Sequence, residues 1–258
     1  MGITRTVAAP GVAEVVVDAP PVNALTVQGW FDLADTITAA GRDPEIRAVV
    51  LRSEGRGFNA GVDIKEMQRT EGFDALLGAN RGCHAAFKAV YECEVPVIAA
   101  VHGFCLGGGI GLVGNADVIV ASDDATFGLP EVKQGALGAA THLARLVPQH
   151  LMRAMVYTTQ TATAAQLHAF GSVHAVVPRE ALRDTAFEVA ARIADMDPFV
   201  IRRAKECLNG IDPVDVNRSY RFEQGFTFEL NLQGAGDKHR DSFVRRSGSQ
   251  DKQDEAEG

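Results

Sequence analysis

Along the first half of the chain, short apolar runs suited to buried strands alternate with stretches whose apolar residues recur at helical spacing. Val12 to Val17 is β-branched and apolar apart from Ala13 and Glu14. Asp18-Ala19-Pro20-Pro21 then stops any ladder, because proline has no N–H to donate. Over Trp30 to Ala40, Phe31, Leu33, Ala34 and Ile37 recur at helical spacing, and Gly41 supplies a stop. Arg47 to Arg52 is the next buried strand. A polar loop follows, then a helix starting near Asp63, which is placed to cap it. Residues 74–93 read as a helix with Leu76, Leu77, Phe87 and Val90 on one face, closed by Pro96. Val97 to Val101 and Asp117 to Ala121 are further strands, separated by the glycine-dense turn Gly103 to Gly111 and a helix of small residues. This alternation is that of βαβ units with right-handed crossovers, an α/β fold.

From Thr141 the pattern becomes mainly helical. Thr163 and Pro198 are expected helix starts, with a short strand at His174 to Val177 between them. No repeat is visible in the sequence. The chain divides into a core domain over 1–195, a helical segment over 196–246 and an acidic tail over 247–258, expected to be disordered because it has nothing to bury. The helical segment has little core of its own. Its Phe222, Phe226, Phe228 and Leu230 are expected at a subunit interface.

Hydrophobic residues make up 46% of the 258 and charged ones 22%, enough to bury a sizeable core. The formal net charge is −8, part of it in the tail, which argues against a nucleic-acid platform. Cys83, Cys93, Cys105 and Cys207 lack CxxC spacing and read as free, mostly buried thiols in a reducing compartment. No aliphatic run approaches the ~20 residues of a membrane span, and a signal peptide is not expected. A cytoplasmic protein without a metal site is expected.

Two glycine-bearing turns carry candidate chemistry: Gly57 to Lys65 and His102 to Gly111. Each sits where a strand gives way to a helix, so each can aim unpaired backbone N–H groups at one spot. Two such donors converging on a carbonyl oxygen make an oxyanion hole. Three glycines in a row more often mark a tight bend, and a Glu after Pro, as at Glu131, is ordinarily a solvated turn residue. Neither a dinucleotide-binding glycine pattern in its strand–helix context nor a Gly-Lys-Ser/Thr phosphate loop is present.

Taken together, PPVNAL (Pro20 to Leu25), FNAGVDIKEM (Phe58 to Met67), PVIAAVHGFCLGGG (Pro96 to Gly109) and FGLPE (Phe127 to Glu131) resemble the crotonase superfamily, the enoyl-CoA hydratase/isomerase family. The resemblance runs from about Val12 to Phe243. It implies a spiral of ββα repeats with a C-terminal helical trimerisation region. It further implies an acyl-CoA thioester substrate, with CoA part of the substrate and no separate cofactor, and a homo-oligomer, a trimer or dimer of trimers. By position, the oxyanion donors would be the N–H groups of Ala60 and Gly108. Asn23, Ala24, Leu25, Ala60, Asp63 and Ile64 match places where the family holds CoA, largely through the main chain.

The departure from the pattern is informative. Hydratases of this family place one glutamate two residues after the triple glycine and another at the end of FGxPE. Here the first position is Gly111 and only Glu131 remains. Adding water across a double bond needs a proton donor and a base around one water, so a standard hydratase is disfavoured. Burial by Leu129, Pro130 and Val132 would raise the pKa of Glu131 towards working pH. His142 could replace the missing acid/base group or merely cap a helix. Asn59 and His84 read as loop and helix-surface residues.

MQRTEGF, YECEVPVIAAVHGFC, GLPEVKQGALGAATHLARLVPQHLMR and YRFEQGFTFELN are similar to the bacterial branch that opens rings of steroid-degradation intermediates. That branch hydrolyses a carbon–carbon bond in a bicyclic keto acyl-CoA. One base and an oxyanion hole suffice for it, and Gly111 would leave volume for a bulky ring. The other readings are a Δ3,Δ2-enoyl-CoA isomerase or atypical hydratase and, from a different class, a non-catalytic acyl-CoA-binding protein.

Overall fold

The computed structural model describes residues 2–70 and 72–234. The expected tail over 247–258 lies outside the described residues, as does the end of the 196–246 segment. The chain opens with β1 (Gly2–Ala9) and β2 (Val12–Asp18), followed by α1 (Val27–Arg42), β3 (Ala48–Ser53), α2 (Ile64–Arg69) and α3 (Asp74–Tyr91). Next come β4 (Val97–Val101), β5 (Phe104–Leu106), α4 (Gly108–Val113), β6 (Val118–Ser122) and β7 (Thr126–Gly128). A 3-10 turn over Glu131–Gln134 leads to α5 (Ala140–Leu143), α6 (Gln149–Thr158), β8 (Ala162–Thr163), α7 (Ala164–Ala169) and β9 (Ala175–Val177). Helices α8 (Leu182–Ala194), α9 (Pro198–Gly210) and α10 (Val216–Leu232) close the described chain.

Six strands form one sheet in the order β1-β2-β3-β4-β6-β9, parallel from β2 onward, with β1 antiparallel at the edge. Strands β2, β3, β4 and β6 are largely apolar on both faces because both faces are covered, whereas the edge strand β1 is mostly exposed. Alternate residues go to opposite sides. Val15, Val17, Val49, Leu51, Val97 and Ala99 meet Trp30, Leu33 and Ile37 of α1 and Phe87 and Val90 of α3. Val12, Ala48, Val50, Ile98 and Val120 meet Leu182, Ala186 and Ala190 of α8.

A second, small sheet is ordered β5-β7-β8. Each of β4 and β6 is followed within a few residues by a strand of this sheet, and Asn59 bridges Cys105 as a rudimentary strand after β3. The fold is therefore a spiral of ββα turns. The repeat lies in the geometry of very short strands, which is why no sequence periodicity announced it.

Several boundaries match the sequence reading. Asp63 caps α2, accepting from Lys65 N (2.9 Å) and Glu66 N (3.3 Å). Thr163 caps α7 in a capping box with Gln166, and Pro198 starts α9 behind the Asp197 cap. Strands β1, β5, β7 and β8 were not anticipated. The last three span only two or three residues, too few for a period to show. On α3, Leu76, Phe87 and Val90 are buried but Leu77 is exposed, since a neighbour in sequence is rotated about 100° around the helix.

Candidate active site

The loop after β3 and the loop after β5 meet. A methyl group on Gly61 would lie 3.2 Å from the Gly108 nitrogen, and one on Gly108 would lie 3.3 Å from the Gly61 Cα. Neither the Ala60 nor the Gly108 amide donates to an acceptor among the described residues. Both residues line a cleft of about 930 Å3, open to solvent at its mouth, together with Ile64, Phe87, Glu131 and Tyr220. Asn59, read from sequence as a loop residue, is buried. Its Oδ1 accepts from Gly61 N (2.8 Å), its carbonyl accepts from Leu106 N (2.8 Å) and its Nδ2 donates to the Asn23 carbonyl. It braces the loop that carries Ala60.

Glu131 begins the 3-10 turn after β7 and faces Gly107 across the cleft. Gly107 has φ +56, and a Cβ there would sit 2.3 Å from the Glu131 Oε1. Glycine is required at 107 both for its backbone and for the carboxyl group that occupies its missing side chain. The Glu131 Oε2 is buried without a hydrogen-bond partner among the described residues. Burial pushes its pKa up to about 8; its own backbone N–H opposes the rise and the nearby Glu223 adds to it.

Gly111 does not leave room for substrate. A Cβ there would lie 2.2 Å from the Phe87 ring, so the phenyl group of α3 fills the volume a second carboxylate would need. Phe87 in turn meets Trp30 edge-on at 5.7 Å, and the Trp30 ring lies against Gly108. The expectation of free space at Gly111 is thus corrected: an aromatic ring from a distant helix stands there.

His142 lies behind the cleft wall rather than in it, packed against Phe87 (5.0 Å) and Tyr220 (5.1 Å). Its Nδ1 meets Asn115 Oδ1 at 3.1 Å, and its Nε2 is buried without a partner. Burial, with Arg145 and His84 adding, pushes its pKa down to about 3, so the ring is neutral. Of the expected CoA-contacting residues, Ala60 and Ile64 line the cleft. Asn23 is a buried hub with φ +55 whose Nδ2 donates to the Glu54 (2.7 Å) and Gly57 (2.8 Å) carbonyls. Leu25 is buried, its N–H donating to Gly61 O (2.9 Å) and its carbonyl accepting from Asp63 N (2.9 Å). Residues 23–25 thus brace the loop behind Ala60, with Ala24 half-buried between two buried neighbours.

The opposite wall comes from α10, which the sequence reading assigned to an interface. After Val216 at its start, its buried positions carry polar groups: Tyr220, Gln224, Thr227 and Asn231. Thr227 exchanges hydrogen bonds with Leu137, donating to its carbonyl and accepting from its N–H (3.2 Å), and Gln224 Nε2 donates to Asn80 O (2.8 Å). Glu223 accepts from Ala140 N (2.8 Å) and from the N–H and hydroxyl of Thr141, holding α5 in place. Burial raises its pKa against those hydrogen bonds. Phe222 and Phe226 face outward, 70% and 43% exposed, in edge contact with each other. One signal was available in the sequence: Tyr220, Gln224, Thr227 and Asn231 recur every three to four residues, a polar stripe on the helix face away from the phenylalanines.

Cys83 also lines the cleft, its thiol pushed up by burial, and His84 stacks near Tyr220 with its pKa lowered by burial. Among the described residues no group of three His, Cys, Asp or Glu side chains could hold a metal ion, and no helix is long and apolar enough to cross a membrane. The cleft combines two uncommitted amides, one buried carboxyl group and apolar walls. Developing negative charge near the amides would meet little competing water, where a fixed donor acts most strongly.

The profile of the enoyl-CoA hydratase/isomerase family matches residues 8–235. The chain belongs to that family. It is 68% identical over 244 residues, 95% of each chain, to the (7aS)-7a-methyl-1,5-dioxo-2,3,5,6,7,7a-hexahydro-1H-indene-carboxyl-CoA hydrolase of Rhodococcus jostii. The protein of the same name from Mycobacterium tuberculosis is 68% identical over 247 residues, 96% of this chain and 100% of that one. Among solved structures, an enoyl-CoA hydratase/isomerase from Xanthobacter autotrophicus Py2 superposes with a TM-score of 0.85 at 27% identity, covering 96% of this chain and 94% of that one. The crotonase-like spiral expected from the motifs is the fold found.

Proposed function

We propose that this crotonase-family protein is a CoA-thioester hydrolase that opens a ring of a bicyclic keto acyl-CoA of steroid origin, the reaction for which its 68%-identical relatives are named. The observation that carries the reading is the solitary carboxyl group of Glu131 beside the free Ala60 and Gly108 amides, with Phe87 filling the place of a second carboxylate. The thioester oxygen lies between the two amides. Glu131 takes a proton from water as its oxygen attacks a ring ketone. The carbon–carbon bond then breaks in a retro-Claisen sense, and its electron pair passes to the thioester as an enolate held by the amides. Protonation of the departing carbon completes a balance of one ketone plus one water giving one carboxylic acid and one new C–H bond. His142 lies off the reacting atoms and serves as packing.

Coenzyme A is held through the main chain of Asn23, Ala24 and Leu25 and by Ala60, Asp63 and Ile64, and it is part of the substrate. Residues 1–195 supply the amides and Glu131, and 196–246 is an oligomerisation segment whose helix α10 also walls the cleft. Exposed Phe199, Val200, Leu208 and Ile211 in and just after α9, with Phe222 and Leu232 of α10, support a trimer or dimer of trimers. Free thiols support a reducing, cytoplasmic setting.

The test is incubation with the substrate named for the relatives in 18O-labelled water, followed by mass spectrometry. The reading expects a gain of one water with label in a new carboxylate. An unchanged mass together with conversion of a 3-enoyl-CoA to its conjugated isomer would make the protein an isomerase, for which one carboxyl group over free amides also suffices. Binding of both thioesters without turnover would leave an acyl-CoA-binding protein.

A further inference from the structure

Hydrolytic ring opening generates negative charge twice, on two different oxygens. The first is the alkoxide formed when water adds to the ring ketone, and the second is the thioester enolate formed when the carbon–carbon bond breaks. The Ala60 and Gly108 amides converge on one spot and can serve one of these oxygens. A second donor is needed for the other, and it must reach the cleft from a wall other than the amide loops.

Most polar side chains on that wall are spent on the protein itself. Asn80 Nδ2 donates to Leu76 O (2.9 Å), Asn231 Nδ2 to Thr227 O (2.8 Å), and the Thr227 hydroxyl to Leu137 O. Tyr220 differs. Its ring is locked by Phe87 (5.1 Å), His142 (5.1 Å) and a stacked His84 (6.3 Å), and it lines the same cleft as Glu131. The Gln224 side chain, one turn along α10, lies against the phenol in the sense that stabilises a phenolate, as an amide donor does. The Gln224 Oε1 accepts from Arg221 Nη1 (3.1 Å) and one Nε2 hydrogen goes to Asn80 O (2.8 Å), so the second Nε2 hydrogen is the donor available to the phenol oxygen, and Gln224 makes no claim on the phenol proton.

We propose that Tyr220 is a catalytic residue whose hydroxyl donates a hydrogen bond to the ring-ketone oxygen and stabilises the alkoxide formed on it, complementing the backbone amides that hold the thioester oxygen. The inference rests on the hydrolase reading above. Burial, together with Cys83, Glu223 and Glu131, keeps the phenol protonated, which is the state a donor needs. The electron and proton count is unchanged. The phenol shares its proton with the alkoxide and keeps it when the carbonyl re-forms, while the proton taken by Glu131 from water is the one returned to carbon.

The test is Tyr220→Phe, which keeps the ring and its three aromatic neighbours. Two rates are measured on the same protein: ring opening, and exchange of deuterium from heavy water into the ring-opened product at the carbon protonated last. Exchange needs Glu131 and the amides but no attack on a ketone. Removing one donor to a developing oxyanion typically lowers kcat by about 100- to 1,000-fold. The expected result is a loss of that size in ring-opening kcat with KM within about twofold, exchange within about twofold of the parent, and an unmoved pH limb. Ring opening within about threefold of the parent overturns the role of Tyr220 alone. Equal loss of both rates also overturns it, because the hydroxyl would then act at the enolate or on the fold. If the parent itself opens no ring, the hydrolase reading fails first and the inference falls with it.

Discussion

The two walls of the cleft are built in opposite ways. One is main chain: Ala60 and Gly108 present free amides at the ends of short strands, with Gly107 between them and Glu131, and their chemistry is available because side chains are small or absent. The other is side chain: Phe87 from α3 and Tyr220, Thr227 and Asn231 from α10, brought together over more than a hundred residues of sequence. Glu131 sits at the seam, against Gly107 on one side and within the field of Glu223 on the other. The main-chain wall tolerates no added atom. The side-chain wall is an assembly whose members can be varied one at a time, and this contrast orders the expected effects.

The largest effect should come from adding atoms where the walls interlock. Gly111→Ala places a Cβ inside the Phe87 ring, and overpacking of this kind costs about 1–3 kcal/mol or more. We expect a clear drop in melting temperature, partly reversed in the Gly111→Ala/Phe87→Leu double variant. Additive losses in calorimetry would mean that the two residues are not coupled. Gly107→Ala, at φ +56 and against Glu131 Oε1, should displace the carboxyl group and lower kcat at least 100-fold.

Next is Glu131→Gln, for which turnover should fall by about 1,000-fold or more if this residue is the base. Its effect on stability should have the opposite sign and depend on pH. The folded-state pKa of Glu131 is raised from 4.5 to about 8, so its contribution is most favourable below about pH 4.5 and is lost as pH rises to about 8. The glutamine variant should therefore gain melting temperature relative to the parent between pH 5 and 9. For the same reason kcat/KM of the parent should rise with pH and level off above about pH 8, and a profile flat from pH 6 to 9 would show that no group of this kind is the base.

A smaller effect is expected from Glu223→Gln. Removing that carboxyl group takes away one cause of the raised Glu131 pKa, so the activity limb should move to lower pH by a fraction of a unit, with a modest stability loss from the weakened hold on α5. His142→Asn should matter least to chemistry. A ring with a pKa near 3 that sits behind Phe87 does not titrate in the working range, and kcat should stay within about fivefold. A change in the pH profile of that variant would return His142 to the reaction.

The strand–helix alternation was legible where local rules dominate. Val12–Val17, Glu14 aside, and Val97–Val101 are apolar on both faces because a parallel sheet is covered on both, and Asp63, Thr163 and Pro198 announce helix starts within a few residues. Ala60 and Gly108 were singled out by the resemblance of their motifs to the family, and both line one cleft. The role of α10 was not legible. Its phenylalanines pointed to a subunit interface and said nothing of the opposite face, where Tyr220, Gln224, Thr227 and Asn231 are buried, Gln224 bonded to α3 and Asn231 to Thr227. The occupant of the space at Gly111 was equally hidden, because a missing side chain does not say which distant ring will fill it.

By itself, the order of amino acids determined the strand–helix alternation and the two glycine-bearing turns, consequences of steric and hydrogen-bonding preferences within a few residues, and its resemblance to the family singled out the glutamate at 131. Tertiary structure alone decided that Phe87 stands where a second carboxylate would, that His142 is neutral and behind the wall, and that Glu131 is buried enough to hold its proton near neutrality. Those outcomes depend on which surfaces exclude water from one another, and desolvation is a property of the packed whole rather than of any local segment.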